Sequence, residues 1–380
     1  MSNLQEMKRE LEAQDSAERD AGLPPAQRMR ALAPEAGKFI EIVLRAGSMR
    51  RVLEIGTSSG YSTLWLASAA QAVGGRVDTL ERSPERAAAA GEYFSRAGLS
   101  AVITQHQGDA KHLLPQLPGP YDFIFIDAEK DDYEEYLDLT LGKAALGGII
   151  MADNVLSHAD QLGHYIEKAQ HTTGLLSVTV PVGRGEEMSL RVAQGLPSEL
   201  VAVLAALEVY ARTHSNTWNV SRAAGKFLYS LAVAAKAKNV IELGTSTGYS
   251  GAWLAAAMRE TGGRVLTIDS DHEKVKLANE SFAQAKVSPY ISVVSGESLA
   301  VLPTVPGPFD FVFIDADKEE YSAYVEALWP KLKPGALIVA DNIDSHPEIL
   351  GAYAAQMQAR EGALSVTLHL GSGMELSLKR

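Results

Sequence analysis

The sequence predicts an α/β fold built twice: two tandem domains, each a mostly parallel seven-stranded sheet with an antiparallel C-terminal hairpin and flanking helices. Three observations carry this. Short β-rich apolar runs alternate with helical stretches, the order that gives parallel strands joined by right-handed crossovers. The pattern recurs at a fixed offset of 188 residues. Each copy closes on two strand-like runs separated by a tight glycine turn, the signature of a hairpin.

The repeat is specific. VLEIGTSSGYSTLWL (52–66) returns as VIELGTSTGYSGAWL (240–254), identical at ten of fifteen positions. EAGKF (35–39) returns as AAGKF (223–227), YDFIFIDAEKDDY (121–133) as FDFVFIDADKEEY (309–321), and MADNVLSH (151–158) as VADNIDSH (339–346). Gly56 to Gly244, Asp127 to Asp315, Asp153 to Asp341 and Ser189 to Ser377 are each 188 apart. Such a period is too long for a solenoid unit, so each copy must hold its own core. The turn-forming Gln194-Gly195-Leu196-Pro197 sets the boundary, giving domains 1–195 and 196–380.

In chain order, residues 1–48 read as a helical prelude. Strands follow at 51–57, 76–81, 101–107, 121–128 and 147–154, then 176–182 and 187–193 around Gly183-Arg184-Gly185. FIFID and IIMA are continuous apolar runs, as expected of strands covered on both faces. Between them lie helices such as YSTLWLASAAQAV and SPERAAAAGEYFSRAG, the latter with a Ser cap and Pro in its first turn. Residues 197–236 are the prelude of the second copy. Trp65 and Trp253 read as core, Tyr133 and Tyr321 as packing residues, and His158 and His346 as loop or helix-cap residues.

Composition narrows the function. The chain has 380 residues, 46% of them hydrophobic, and no Cys. Disulfides, thiolate metal sites and cysteine nucleophiles are excluded. A net charge of −12 at pH 7 argues against a nucleic-acid partner, which selects for a basic face. No apolar run approaches the ~18–20 residues of a membrane helix, and the charged N-terminus is unlike a signal peptide. The expectation is a cytoplasmic protein with a small-molecule substrate.

In open α/β sheets ligands sit beyond the carboxyl ends of the strands, and three loops there carry informative residues. The first is Glu54-Ile55-Gly56-Thr57-Ser58-Ser59-Gly60-Tyr61-Ser62. Its glycines let the backbone approach a ligand, and the following helix N-terminus favours negative charge. The spacing E-x-G-x-x-x-G is neither the dinucleotide fingerprint nor a phosphate loop. The second loop offers Glu81, whose carboxylate can accept from both hydroxyls of a ribose. The third, Gly108-Asp109-Ala110, suits the edge and exocyclic amine of adenine. The second copy repeats them with Glu242, Gly244, Ser246 and Ser250, then Asp269, then Gly296, Glu297 and Ser298.

Two further strand ends present Asp127 and Asp153-Asn154, repeated as Asp315 and Asp341-Asn342. Oxygen ligands without His or Cys suit Mg²⁺ first, with Ca²⁺ or Mn²⁺ as the other hard cations, and not zinc. Lys130 and Lys318 follow the first Asp of each set by three residues. An ordinary lysine, with a pKa near ~10.4, is a poor base at neutral pH. A neighbouring divalent cation disfavours an ammonium and acidifies a bound hydroxyl. A chelated diol beside an amine is a site for proton abstraction.

These loops, in this order and twice over, resemble the class I S-adenosylmethionine-dependent methyltransferases. The Asp, Lys and Asp-Asn set extends the resemblance to the cation-dependent O-methyltransferases of the catechol and caffeoyl-CoA type. It implies a Rossmann-like methyltransferase domain in each copy. It further implies S-adenosylmethionine on the glycine loop, the acidic residue and the third loop, with Asp127 and Asp315 at its edge. The methionine carboxylate falls to Ser62, or Ser250, and to loop backbone. Asp127, Asp153 and Asn154, and Asp315, Asp341 and Asn342, become cation ligands; Lys130 and Lys318 become general bases; the acceptor becomes a vicinal diphenol.

The pattern departs from the family in three places. Glu129 and Asp317 replace the aromatic residue that precedes the lysine in animal catechol enzymes. VLSHADQLG and IDSHPEILG lack a Trp-Gly-rich insertion. Relatives are mostly single domains that dimerise, so the two copies are expected to form an intramolecular pseudo-dimer, with a further homodimer open. Alternatives left standing are one catalytic copy with one degenerate regulatory copy, and a non-catechol hydroxyl as acceptor. A nucleotide-binding oxidoreductase lacks its fingerprint, and a non-catalytic sensor has no need of the cation-and-lysine set.

Overall fold

A computed structural model describes residues 3–24, 28–214 and 216–380. Parts of both preludes, at 25–27 and 215, lie outside the described residues. Contacts divide the chain into two units, 1–193 and 194–380.

The first unit opens with helices α1 (Asn3–Asp20) and α2 (Pro34–Ala46). The alternation begins with β1 (Arg51–Ile55), α3 (Tyr61–Ala72), β2 (Arg76–Glu81), α4 (Pro84–Arg96) and β3 (Ile103–Gln107). It continues with the one-turn α5 (Ala110–Leu113), β4 (Tyr121–Ile126), α6 (Tyr133–Leu141), β5 (Ala144–Ala152) and α7 (Ala159–His171). The hairpin β6 (Leu175–Val180) and β7 (Glu186–Arg191) ends the unit. The sheet order is β3-β2-β1-β4-β5-β7-β6. The first five strands run parallel, while β7 pairs antiparallel with both β5 and β6.

The second unit repeats this. It runs α8 (Ser198–Thr213), α9 (Arg222–Ala234), β8 (Asn239–Leu243), α10 (Tyr249–Thr261), β9 (Arg264–Asp269), α11 (His272–Gln284) and β10 (Ile291–Ser295). Then come α12 (Ser298–Val301), β11 (Phe309–Ile314), α13 (Tyr321–Leu328), β12 (Leu332–Ala340), α14 (Pro347–Ala359), β13 (Ala363–Leu368) and β14 (Met374–Lys379). Its sheet order is β10-β9-β8-β11-β12-β14-β13.

Register decides where a site can form. Ile55 ends β1 opposite Leu80 of β2 and Ile126 of β4, and Ile126 is opposite Ala152 of β5. Four parallel strands therefore terminate at one level, and their loops open on one side of the sheet. Strand order reverses between β1 and β4, which leaves a crevice at that edge.

Both faces of the central strands are covered. Val52, Leu53, Phe123, Ile124, Phe125 and Ile126 are all buried. On one face Leu53, Ile124 and Ile150 pack with Tyr133, Leu137, Leu162 and Tyr165; in the second unit Ile241, Val312 and Ile338 pack with Tyr321, Val325, Leu350 and Tyr353. The repeated Gly of EAGKF and AAGKF has a packing cause. A Cβ on Gly37 would stand 2.5 Å from the Trp65 ring, and one on Gly225 would meet Trp253. Both tryptophans are buried, as expected.

Strand ends differ from expectation by one to three residues. The run at 101–107 begins its strand at Ile103, because 100–102 form a 3₁₀ turn. The run at 121–128 leaves the sheet after Ile126, once the Asp127 N–H has bonded the Ile55 carbonyl at 3.0 Å. The run at 147–154 starts three residues earlier, at Ala144, and stops at Ala152. Its last residue, Asn154, turns to a left-handed φ of 72°, as Asn tolerates better than most.

Candidate functional site

The glycine loop is shaped by the strand beside it. Gly56 has φ 103°, and any Cβ there would collide with the Asp127 carbonyl. Gly244, at φ 96°, stands against the Asp315 carbonyl in the same way. No other residue permits both that dihedral and that approach. The contact carries the loop across to the end of β4.

Glu81 ties the first two loops together. Its carboxylate accepts from the backbone N–H of Ser58 at 2.8 Å and of Ser83 at 2.9 Å. In the second copy Asp269 accepts from Ser246 at 2.7 Å and Asp271 at 2.9 Å. Each oxygen keeps a further lone pair for a ligand hydroxyl. In the third loop the Asp109 carboxylate accepts from the Lys111 N–H at 2.8 Å. Glu297, one methylene longer, makes no such cap.

One cleft of the first unit is lined by Gly56, Ser58, Glu81, Gly108, Asp109, Ala110, Asp127, Lys130 and Asn154. The structure thus brings together residues from five strand ends. Glu54, Ser62 and Asp153 do not line it. Glu54 and Ser62 bond one another beneath the glycine loop. Ser62 Oγ donates to Glu54 at 2.6 Å, and Thr63 and Thr79 hydroxyls donate to the same carboxylate at 2.5 and 2.6 Å. Burial pushes Glu54 up to about 7 against the pull of those hydroxyls. It is an internal brace joining β1, β2 and α3. Glu242 and Ser250 are likewise buried, and burial lifts Glu242 to about 7.

The ends of β4 and β5 carry a hydrogen-bonded cluster. Lys130 Nζ donates to Asp127 Oδ1 at 3.2 Å and to the Tyr133 hydroxyl at 2.7 Å. The Tyr133 hydroxyl in turn donates to the Asp153 carbonyl at 3.3 Å. Asn154 Nδ2 donates to Asp127 at 3.0 Å and to Asp153 at 2.8 Å. Burial, with Asp127 close by, pushes Asp153 up to about 7. Glu186, at the start of β7, is fully buried beside it and is pushed well above the carboxylate range by burial and then by Asp153.

The second copy keeps the motif and changes its partners. Lys318 Nζ donates to Asp315 at 3.2 Å and to the Ala316 carbonyl at 3.0 Å. The Tyr321 hydroxyl and Asn342 Oδ1 are buried without a partner among the described residues. Asp341 is lifted to about 7 by burial and Asp315, and Ser372 donates to both its oxygens at 2.9 Å. Among the described residues no three His, Cys, Asp or Glu side chains form a group that could hold a metal ion. The set in each copy is two carboxylates and one amide.

Sequence reading missed Tyr133 as a polar partner, Glu186 beside Asp153, and Arg184 in the cleft wall. Tyr133 had a signal, since it follows Lys130 by three residues in a turn. His158 both precedes α7 and lines the cleft. For Glu186 the only clue was that Met374 stands at the matching position.

A family model described as O-methyltransferase matches residues 13–179 and again 195–367. A catechol O-methyltransferase of Niastella koreensis is 40% identical over 141 residues, 36% of this chain and 62% of that protein. A catechol O-methyltransferase of Mycobacterium tuberculosis is 42% identical over 125 residues, covering 33% and 56%. O-methyltransferase ankF of Aspergillus thermomutatus is 41% identical over 110 residues, covering 28% and 46%. The chain spans about half the length of these relatives. No described helix is long and apolar enough to cross a membrane. With the family model matched in both copies over most of the chain, this protein belongs to the O-methyltransferase family, as a tandem duplication.

Proposed function

We propose that each copy, as a domain of residues 1–195 or 196–380, transfers a methyl group from S-adenosylmethionine to one hydroxyl of a catechol-like acceptor, assisted by a divalent cation. The observation that carries this is the position of Lys130. Its amine stands at the end of β4 against Asp127, in the same cleft as Gly56, Ser58 and Glu81. Methyl donor and acceptor proton thus have separate walls of one crevice.

S-adenosylmethionine is the donor that fits those walls. Glu81 and Asp269 offer a carboxylate to two vicinal ribose hydroxyls. The third loop, at Gly108-Asp109-Ala110 and Gly296-Glu297-Ser298, faces adenine. The glycine loop, with Glu54, Ser58 and Ser62 or with Glu242, Ser246 and Ser250, takes the methionine end, its carboxylate falling to Ser62 or Ser250 and to loop backbone.

Asp127, Asp153 and Asn154 would hold the cation, as would Asp315, Asp341 and Asn342. The donor set supports this, because Asp153 is buried among carboxylates that lack a full counter-charge. Asn342 Oδ1 is a buried acceptor with nothing to accept, a costly arrangement. When bound, a divalent cation supplies a Lewis acid that chelates the diol and acidifies one hydroxyl. Lys130, or Lys318, takes that proton on its amine nitrogen. The acceptor oxygen forms the new O–C bond to the methyl carbon as the C–S bond breaks. The electron pair goes to sulfur, leaving S-adenosylhomocysteine. Positioning supplies most of the acceleration in such a displacement.

The test is transfer of labelled methyl from S-adenosylmethionine to a panel of catechols, with Mg²⁺ and with EDTA. Transfer abolished by EDTA is expected. Transfer indifferent to EDTA removes the cation from the reading, and no transfer to any diphenol removes the acceptor class. Pairing of the two copies within the chain, and any further homodimer, belong to the same proposal; sedimentation of the full chain reads the second.

A further inference from the structure

The copies share their motifs but not the rim of the cleft. In the first unit Arg30, from the loop before α2, Arg82, after β2, and Arg184, at the tip of the β6–β7 hairpin, line the cleft with Lys130 and His158. The residues 188 further along are Trp218, Ser270 and Ser372. Three guanidinium groups are exchanged for an indole and two hydroxyls, while a fourth, Arg86, also in the cleft wall, is matched by Lys274.

The arginines are available to a ligand. Arg30 and Arg82 reach Glu129 at 3.5 and 3.6 Å, long exposed pairs that hold little energy. Arg184 has no carboxylate within ion-pairing distance among the described residues. Burial, and then the charges of Lys130, Arg184 and Arg30, keep the His158 imidazole below its ordinary pKa, so these cations share one rim. A planar guanidinium matches a carboxylate. In the second copy the Trp218 ring is 73% exposed, and Ser372 is spent on Asp341. At these positions the second copy has an indole with the Lys274 ammonium 5.2 Å over its ring, two serines and no guanidinium.

We propose that the copies take different acceptors: the first a diphenol carrying a carboxylate on its side chain, the second an uncharged and more apolar diphenol. Arg184, with Arg30, selects for the charge, and Trp218 for the apolar face. The inference rests on the diphenol reading above.

The test uses full-length chains with one base removed: Lys318→Ala reports the first copy, Lys130→Ala the second. The acceptors are dihydrocaffeate and its methyl ester, which differ by one charge insulated from the ring. The first copy is expected to favour the acid about tenfold in KM, and the second to favour the ester. Arg184→Ser in the first-copy chain should raise KM for the acid and leave the ester unchanged, and Arg184→Lys should restore part of the loss. Acid and ester ranked alike by both chains would overturn the proposal while leaving the diphenol reading intact. Neither acceptor methylated by the unmodified chain, with S-adenosylmethionine bound, would overturn both.

Discussion

Glu54→Gln tests the buried brace under the glycine loop. Burial raises the folded-state pKa of Glu54 from 4.5 to about 7. That displacement separates the two protonation states by about 3 kcal/mol. The native chain holds the proton more tightly than the unfolded chain. The contribution to stability is therefore complete below about pH 4.5 and is lost as pH rises through about 7. The amide of the variant cannot ionise and loses nothing in that window. Between pH 5 and pH 8 the stability of the original chain should fall relative to Glu54→Gln by up to about 3 kcal/mol, roughly 6–12 °C in Tm for a unit of this size. Scanning calorimetry of both chains at the two pH values gives this double difference, in which the packing cost of the amide cancels. Glu54→Gln leaves Glu242, also lifted to about 7, as an internal reference. A gap that does not change with pH would refute the reasoning. A gap that widens in favour of the original chain as pH rises would show that Ser62, Thr63 and Thr79 hold the group as a carboxylate in the native state.

Other substitutions read other parts of the site. Gly37→Ala would gain about 1 kcal/mol from helix propensity alone, but its methyl would stand 2.5 Å from Trp65; a net loss of about 1–3 kcal/mol is expected, read from the denaturant midpoint, and a raised midpoint would deny the packing. Gly56→Ala should remove one of two S-adenosylmethionine sites per chain, because the new Cβ collides with the Asp127 carbonyl; titration calorimetry gives the stoichiometry, and two retained sites would contradict the loop geometry. Tyr133→Phe should slow the first copy about tenfold by removing the hydroxyl that Lys130 donates to. Tyr321→Phe should leave the second copy's rate unchanged and raise its stability by about 1 kcal/mol, since that hydroxyl is buried without a partner among the described residues. Equal effects in the two copies, each read with the other base removed, would refute the difference.

The fold and the cleft were legible because their signals are local. A strand's apolar run, the loop at its end and the next helix are contiguous in sequence, and a second copy in the same order repeats the reading. What was not legible depends on contacts between elements distant in sequence. Glu54 is legible as the residue that opens the glycine loop; that Thr79, 25 residues on, donates to it follows only from the pairing of β1 with β2. Glu186 carries no motif, and its burial beside Asp153 comes from the hairpin folding back along β5. The fixed offset also conceals a length change near the N-terminus. Tyr61 donates to Glu12, 49 residues earlier, and Tyr249 to Glu208, 41 residues earlier. The same hydroxyl-to-acid contact is made from a first helix displaced in sequence, so α1 and α8 pack alike although the spacing ahead of each sheet differs.

Backbone identity and site identity separate at the level of charge. Both copies preserve Gly56 or Gly244, a left-handed Asn after the second Asp, and the lysine three residues after the first Asp. Around that frame the charges have changed. The first copy places Glu186 against Asp153 and Arg184 at the hairpin tip; the second places Met374 and Ser372 at the matching positions. A buried carboxyl unmatched by a cation is costly, and exchanging it for a thioether of similar length removes the cost. Loss of the hairpin arginine leaves Ser372 to satisfy Asp341 directly at 2.9 Å. Glu186 and Ser372 each stand beside the second Asp of their own copy. A duplicated strand-end scaffold thus keeps Lys130 and Lys318 in place while the hairpin beside it changes its charges.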